Sequence, residues 1–295
     1  MIGIGYILAR SGVLAQSAAG VLSKLEITVL IPALILSTFI DRFTPDTLAT
    51  AWQPFLYGLI LLLISVFPSY LIARFCSRDA EMRNIYVYGL CFSNFSFMGN
   101  ALVSALYPDY FFEYLIFSLP LWILVFAWAT PSLLMPRVQK RSWRDWLKVF
   151  WNPLFLSIPS GMILGLLQIP LPDFAHQALD ASAASMSPVA MLLTGISVAS
   201  VDWRAIRKEK GIYLFSVFRL LVFPLAGIAV LAFLPLPVST ETCILLILAL
   251  PPGLNAIIIP AACGRDTKEA AGMTILSHLF SCVTIPLMLY LFETI

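Results

Sequence analysis

Six stretches of this chain, 47–73, 84–108, 149–172, 181–201, 242–264 and 270–292, contain no Asp, Glu, Lys or Arg. Each reaches the roughly 20 residues that an α-helix needs to cross the hydrocarbon of a bilayer. A segment in hydrocarbon has no water to satisfy its amides, so it must close its hydrogen bonds within itself, as a helix does. Two further spans carry one charge each: 111–135 with Glu113 at its edge, and 211–234 with Arg219 inside. A ninth, 24–41, is apolar from Ile27 to Ile40 and places Lys24 and Glu26 at the interface. The chain is therefore expected to be an all-α polytopic membrane protein. Composition agrees, with 60% hydrophobic and 12% charged residues, where soluble domains carry about 25% charged.

Met1 to Ala9 is apolar but too short to span, and Arg10 follows directly. No charged n-region marks it as a cleaved signal, so the expectation is a first helix cut short. Charge then fixes orientation. With the basic stretch 136–148 placed inside and sides alternating at each span, the inner loops hold 16 of the 18 Lys and Arg residues. Only Arg42 falls outside, while Arg219 lies in the membrane. This is the positive-inside pattern, and it predicts a multi-pass protein of the inner membrane with its C-terminus outside. The basic stretch reads as a topology determinant, and no nucleic-acid partner is expected. Cys76, Cys91, Cys243, Cys263 and Cys282 lie in or near spans without CxxC or His pairing. They read as buried apolar thiols, with no metal site and no cofactor.

Two spans look broken. Residues 249–264 read A-L-P-P-G-L-N-A-I-I-I-P-A-A-C-G, with helix breaks expected at Pro251, Pro252 and Pro260, beside Gly253 and Asn255. Residues 91–100 read C-F-S-N-F-S-F-M-G-N, are equally free of charge, and are marked by Gly89 and Gly99. Helices interrupted at matching positions of two halves point to a transporter's binding site. The candidate site is thus Asn94, Asn255 and Asn100 with Gly99 and Gly253. An amide side chain offers donors that hold a carboxylate without a second buried charge, and half-helix N-termini favour anions. The competing reading is that each asparagine only caps a broken helix or satisfies freed backbone.

Arg219 lies eight residues past Gly211, roughly 12 Å into a slab about 30 Å thick. A charge there is costly by ~2.5 kcal/mol or more and needs a partner. No acid lies at that depth, so the candidates are helix C-terminal carbonyls, in a structural tie between the ninth and tenth helices, or an anionic substrate. His278 lies mid-span and either relays protons or bonds neutrally between helices. His176 is placed in an outer loop, 173–180. Thr274, Ser277 and Ser281 are expected to bridge helices.

The two halves on either side of 136–148 repeat three landmarks in order. Pro32 and Pro188 open similar stretches, each followed 36 residues later by a Phe-Pro pair, Phe67-Pro68 and Phe223-Pro224; Asn94 and Asn255 come 26 and 31 residues after those prolines. Five spans per half would make the repeat inverted. N-P-L-F at 152–155, L-L-T-G-I-S-V-A at 192–199, F-R-L-L-V-F-P at 218–224 and L-N-A-I-I-I-P-A-A-C-G-R-D at 254–266 resemble bacterial members of the auxin efflux carrier family. S-N-F-S-F-M-G at 93–99 and I-P-A-L at 31–34 agree. The resemblance implies ten helices in two inverted five-helix repeats, with helices four and nine broken where they cross. It also implies transport of organic anions such as auxin-like acids or dicarboxylates. Scaffold helices one and two would occupy 1–50 and six and seven 149–203. Transport helices three to five would occupy 51–135 and eight to ten 204–295, with 136–148 as a cytoplasmic loop. The chain departs from the family at its short first helix, at Ala101 where a proline is usual, and at His278 where threonine is common.

No catalytic constellation stands out. No Asp lies inside the apolar part of any span, no G-x-S-x-G surrounds a serine, and no P-loop is present. The expected function is a secondary active carrier of small organic anions working by alternating access. The alternatives are a non-transporting membrane sensor on a carrier fold, or a channel. Expected partners are the anion, membrane lipids, protons or another coupling ion, and a second copy meeting through the scaffold helices.

Overall fold

The computed structural model describes residues 1–15, 17–135, 151–199 and 209–294. The expected cytoplasmic loop at 136–148, and Arg204, Arg207 and Lys208, lie outside the described residues. Among the described residues the chain is helical with no strand. In order the helices are α1 (Ile2–Arg10), α2 (Ala18–Arg42), α3 (Pro45–Cys76), α4 (Ala80–Cys91), α5 (Phe95–Leu106) and α6 (Pro108–Leu134). After the basic stretch come α7 (Pro153–Leu166), α8 (Asp173–Ala199), α9 (Lys210–Leu231), α10 (Val238–Ala249), α11 (Asn255–Ala262) and α12 (Lys268–Thr294). Of these, α2, α3, α6, α8, α9 and α12 are long and apolar enough to cross a membrane, while α5, α7 and α10 are shorter apolar helices. The expected all-α polytopic architecture is what the chain adopts.

Local chemistry sets the helix ends. Asp79 accepts from the Met82 N–H at 2.7 Å and starts α4, and Asn152 accepts from the Phe155 N–H at 3.1 Å with Pro153 as the first helical residue of α7. Both are N-caps satisfying donors that a helix start leaves free. Asp173 likewise sits in the first turn of α8, where a negative charge meets the helix dipole. The region expected as an outer loop, 173–180, is therefore the first two turns of α8.

The chain divides into two compact units: Met1–Pro54, Ser96–Ile116 and Arg141–Ser200 form the first, and Phe55–Phe95, Phe117–Lys140 and Val201–Ile295 the second. In the first unit, α1 lies against α8 and α2 against α7, at points where glycine removes the side chain. A Cβ on Gly5 would collide with the Leu192 carbonyl, and one on Gly195 with the Ile2 carbonyl. On α7, a Cβ at Gly161 would stand 2.8 Å from the Phe39 Cβ. Close backbone approach of this kind is how helices gain contact where no hydrophobic effect drives them together. At one end of the unit, His176 sits between Asp180 at 2.9 Å and Asp41 at 3.3 Å, and Ser37 Oγ donates to Asp180 at 2.9 Å. Glu26 opens a π-turn in α2 and is fully buried within the unit, with neither carboxylate oxygen hydrogen-bonded.

In the second unit α12 packs against α4, α9, α10 and α11. Gly211 lets α9 approach the end of α3, where a Cβ would collide with the Cys76 carbonyl. Ser277 is the hydroxyl that bridges helices, meeting Ser216 of α9 at 3.1 Å. Thr274 and Ser281 bond instead to carbonyls of their own helix, Ala270 and His278. None of the five cysteines is in a disulfide; Cys76, Cys91 and Cys243 are buried as expected, but Cys263 is half-buried and Cys282 exposed.

Candidate functional site

The second unit contains the place where two interrupted spans meet. Beyond Cys91 and Ala249 the chain leaves the helix, with Phe92 at φ −117°, ψ 110° and Leu250 at φ −67°, ψ 143°. Pro251 imposes the second departure, because a residue before proline is pushed out of the helical region. The freed backbone groups then satisfy one another. The Asn94 N–H donates to the Pro251 carbonyl at 2.7 Å, the Gly253 N–H donates to the Phe92 carbonyl at 3.3 Å, and Ser93 and Pro252 form an isolated antiparallel bridge. Both prolines lack an N–H, so the donors must come from Asn94 and Gly253. This exchange lets two helices break inside an apolar region without orphaned amides. The approach is close: a Cβ at Gly253 would lie 3.3 Å from the Ser93 carbonyl, and one at Gly89 would lie 3.2 Å from the Pro252 Cβ.

Arg219 holds the crossing from the side. Its Nε donates to the Leu250 carbonyl at 2.9 Å, Nη1 to the Leu90 carbonyl at 2.8 Å and Nη2 to the Ile247 carbonyl at 2.6 Å. The tie expected between the ninth and tenth helices is instead a tie between the ends of α4 and α10. The reason is electrostatic: two helix C-termini present unpaired carbonyls and negative dipole ends, and a planar guanidinium reaches several at once. Beside Arg219 is a void of about 10 Å³, lined among others by Ser65, Cys91 and Leu248. That volume admits a water, not an organic anion.

Asn94 is buried, and its Nδ2 lies 2.9 Å from Nε2 of His278, whose Nδ1 lies 2.7 Å from the Thr274 carbonyl. The Asn94 Oδ1 and the Ser93 Oγ are buried without a hydrogen bond. Asn255 is half-buried at the start of α11, where Leu254 occupies the cap position without a side-chain bond. Its side chain is within hydrogen-bonding reach of the Tyr88 hydroxyl, which also faces the position of a Gly253 Cβ at 3.5 Å.

The crossing thus gathers Asn94, Asn255, Gly253, Pro251, Pro252, Arg219 and His278 into the second unit. Gly99 and Asn100 fall in the first unit. There Gly99 takes an ordinary helical φ of −66°, and α5 runs through it into Asn100, whose buried Nδ2 has no hydrogen-bond partner. The first break therefore rests on Phe92 to Asn94 and not on Gly99 or Asn100. Pro260 is likewise no break, since α11 continues through it to Ala262. Sequence reasoning passed over Tyr88 and the partnership of His278 with Asn94. Tyr88 could have been noticed as a hydroxyl one turn before the first break; nothing in the sequence points from residue 94 to residue 278.

At the N-terminal ends of α4, α9 and α12 lies a separate cavity of about 580 Å³, whose lining includes Asp79, Glu81, Glu209, Arg265 and Glu269. Arg265 bridges to Glu81 at 3.0 Å and Tyr86 donates to Glu269 at 2.9 Å, so part of this charge is internally paired.

A polytopic helical protein whose broken spans cross and exchange backbone hydrogen bonds belongs, by fold and site, with membrane transport proteins. The chain is a member of the auxin efflux carrier family: the family model described as Membrane transport protein matches residues 1–289. Comparison with curated proteins gave no match. The protein is accordingly a membrane transporter, with several helices able to span the bilayer.

Proposed function

We propose that the protein is a secondary active carrier that moves small organic anions across the inner membrane by alternating access. The observation that carries this reading is the crossing at Ser93 and Pro252, secured by Arg219. Arg219 brings a full positive charge beside the breaks, and the N-terminus of α11 at Asn255 adds the positive end of a helix dipole. Asn94, Asn255 and Tyr88 supply neutral polar groups around the same backbone, which suits a carboxylate that must later be released. The family implied by the sequence transports such acids. In this reading 1–50 and 149–203 form the scaffold and 51–135 and 204–295 the transport domain, and the compact units follow that division except at 96–116, which falls in the unit with 1–54 and 141–200. In this reading the two halves are an inverted repeat, the C-terminus is outside, and a second copy joins through the scaffold helices.

The test is uptake into proteoliposomes of formate, pyruvate, oxalate, malate and indole-3-acetate. A carrier gives saturable, gradient-driven uptake and accelerated exchange with the same anion inside. Linear uptake without saturation assigns a channel, and binding without flux assigns a sensor.

A further inference from the structure

Resting on that reading, we infer that His278 and Asn94 form a proton-operated switch, in which protonation of the imidazole turns the Asn94 amide so that its N–H donors face the anion. The argument begins with hydrogen-bond polarity. The Nδ1 of His278 lies 2.7 Å from the Thr274 carbonyl, which can only accept, so Nδ1 carries a hydrogen. The Nε2 lies 2.9 Å from the Asn94 Nδ2, an amide nitrogen that can only donate, so Nε2 is the acceptor. The arrangement is that of a neutral imidazole, and it leaves the Asn94 Oδ1 as the amide's unpartnered atom, buried without a hydrogen bond as the Ser93 Oγ also is. An acceptor so placed repels a carboxylate.

A proton added at Nε2 reverses this polarity. The Nε2–H can then donate only to Oδ1, the amide turns over, and the Nδ2 donors occupy the place that Oδ1 held. The opposite neutral tautomer would set the Nδ1 lone pair against the Thr274 carbonyl, so both Nδ2 hydrogens are released to the anion only when the ring is charged; the neutral ring holds one of them. A buried imidazolium needs a counter-charge, which the bound carboxylate supplies. Proton and anion therefore enter together, one of each, as a neutral pair when the anion carries a single carboxylate.

Among the described residues, no other ionised side chain replaces His278 in this role. On α4, α9, α10 and α12, Glu81, Arg83, Lys210, Glu241, Lys268 and Glu269 sit in the first turn of their helices, and Glu293 is next to last in α12. Arg219 is held by three carbonyls, and α11 carries no ionisable residue. The Tyr88 hydroxyl is within reach of the Asn255 side chain, and the Cys282 Sγ reaches the His278 carbonyl and not its ring.

Two measurements test the switch. Nitrogen NMR of histidine-labelled protein needs no ligand, and His176→Gln isolates the His278 signals because the chain has only 2 histidines. The expected neutral form has Nδ1 protonated and Nε2 bare; a neutral ring protonated at Nε2 overturns the proposal. Calorimetry in buffers of differing ionisation enthalpy then counts the protons taken up with whichever anion of the panel binds. His278→Gln serves as reference, because it subtracts the anion's own titration. The wild type should take up about one proton more per anion than the variant, and its Kd should rise about tenfold per pH unit on the alkaline side of the histidine titration. Equal proton uptake in both overturns the switch and leaves the carrier reading standing. No binding of any anion in the panel, even at the acid end, overturns both.

Discussion

At the scale of single residues, Arg219 is decided by its three carbonyls. Arg219→Ala would leave the carbonyls of Leu90, Ile247 and Leu250 without their donor. Orphaned buried acceptors cost about 1–3 kcal/mol each, so the variant should lose about 3 kcal/mol or more, read as a lowered melting temperature of the purified protein. Arg219→Lys keeps the charge but not the fork, and should fall between. An alanine variant that melts like the wild type but binds anions weakly would assign Arg219 to substrate instead. Asn255 should behave in the opposite way. It makes no helix-capping bond, so Asn255→Ala should leave melting nearly unchanged. Loss of a hydrogen bond to a charged group, about 1.5–3 kcal/mol, should weaken carboxylate binding about 10- to 150-fold. A drop in melting temperature with unaltered affinity would return Asn255 to a structural role.

At the scale of elements, the short α1 is held by backbone contact with α8 through Gly5 and Gly195. Gly195→Ala places a methyl group against the Ile2 carbonyl, and overpacking of this kind destabilises by about 1–3 kcal/mol. Gly20→Ala is the control, since nothing lies within 4 Å of its Cβ position, and alanine favours a helix by about 0.5–1 kcal/mol over glycine. Thermal unfolding should show the first variant destabilised and the second not. If both melt alike, α1 is not anchored by the glycine contact. The broken helices follow the same logic in reverse: Pro251 and Pro252 remove donors, and the neighbouring chain at Phe92 to Asn94 supplies the partners that water would supply elsewhere.

At the scale of the whole molecule, the proposed orientation rests on the distribution of Lys and Arg. In a cysteine-free background, Asp46→Cys, Asp109→Cys, Ala175→Cys and Ser239→Cys should react with an impermeant thiol reagent on intact cells. Asp79→Cys and Thr267→Cys should react only after permeabilisation. Labelling of Asp79→Cys from outside would invert the assignment. The positive-inside rule supports this arrangement because each basic loop lies near the ends of spans, where charge sets direction.

The sequence alone determined the class, six of the spans and the existence of two breaks, because each depends on local properties. Hydrophobic length fixes a spanning helix, and Pro251 and Pro252 cannot continue one. Local signals also misled: Gly99 and Pro260 are common helix interrupters, yet both sit inside helices whose neighbours hold them in register. Only the tertiary structure decided which groups meet. Arg219 chose its carbonyls at sequence separations of 28, 31 and 129 residues, and His278 found Asn94 across 184. Every residue carries a carbonyl, so no residue type marks the ones a guanidinium will select. Likewise the direction of the Asn94 amide is set by the ring that α12 brings against it, a consequence of packing that no pattern along the chain encodes.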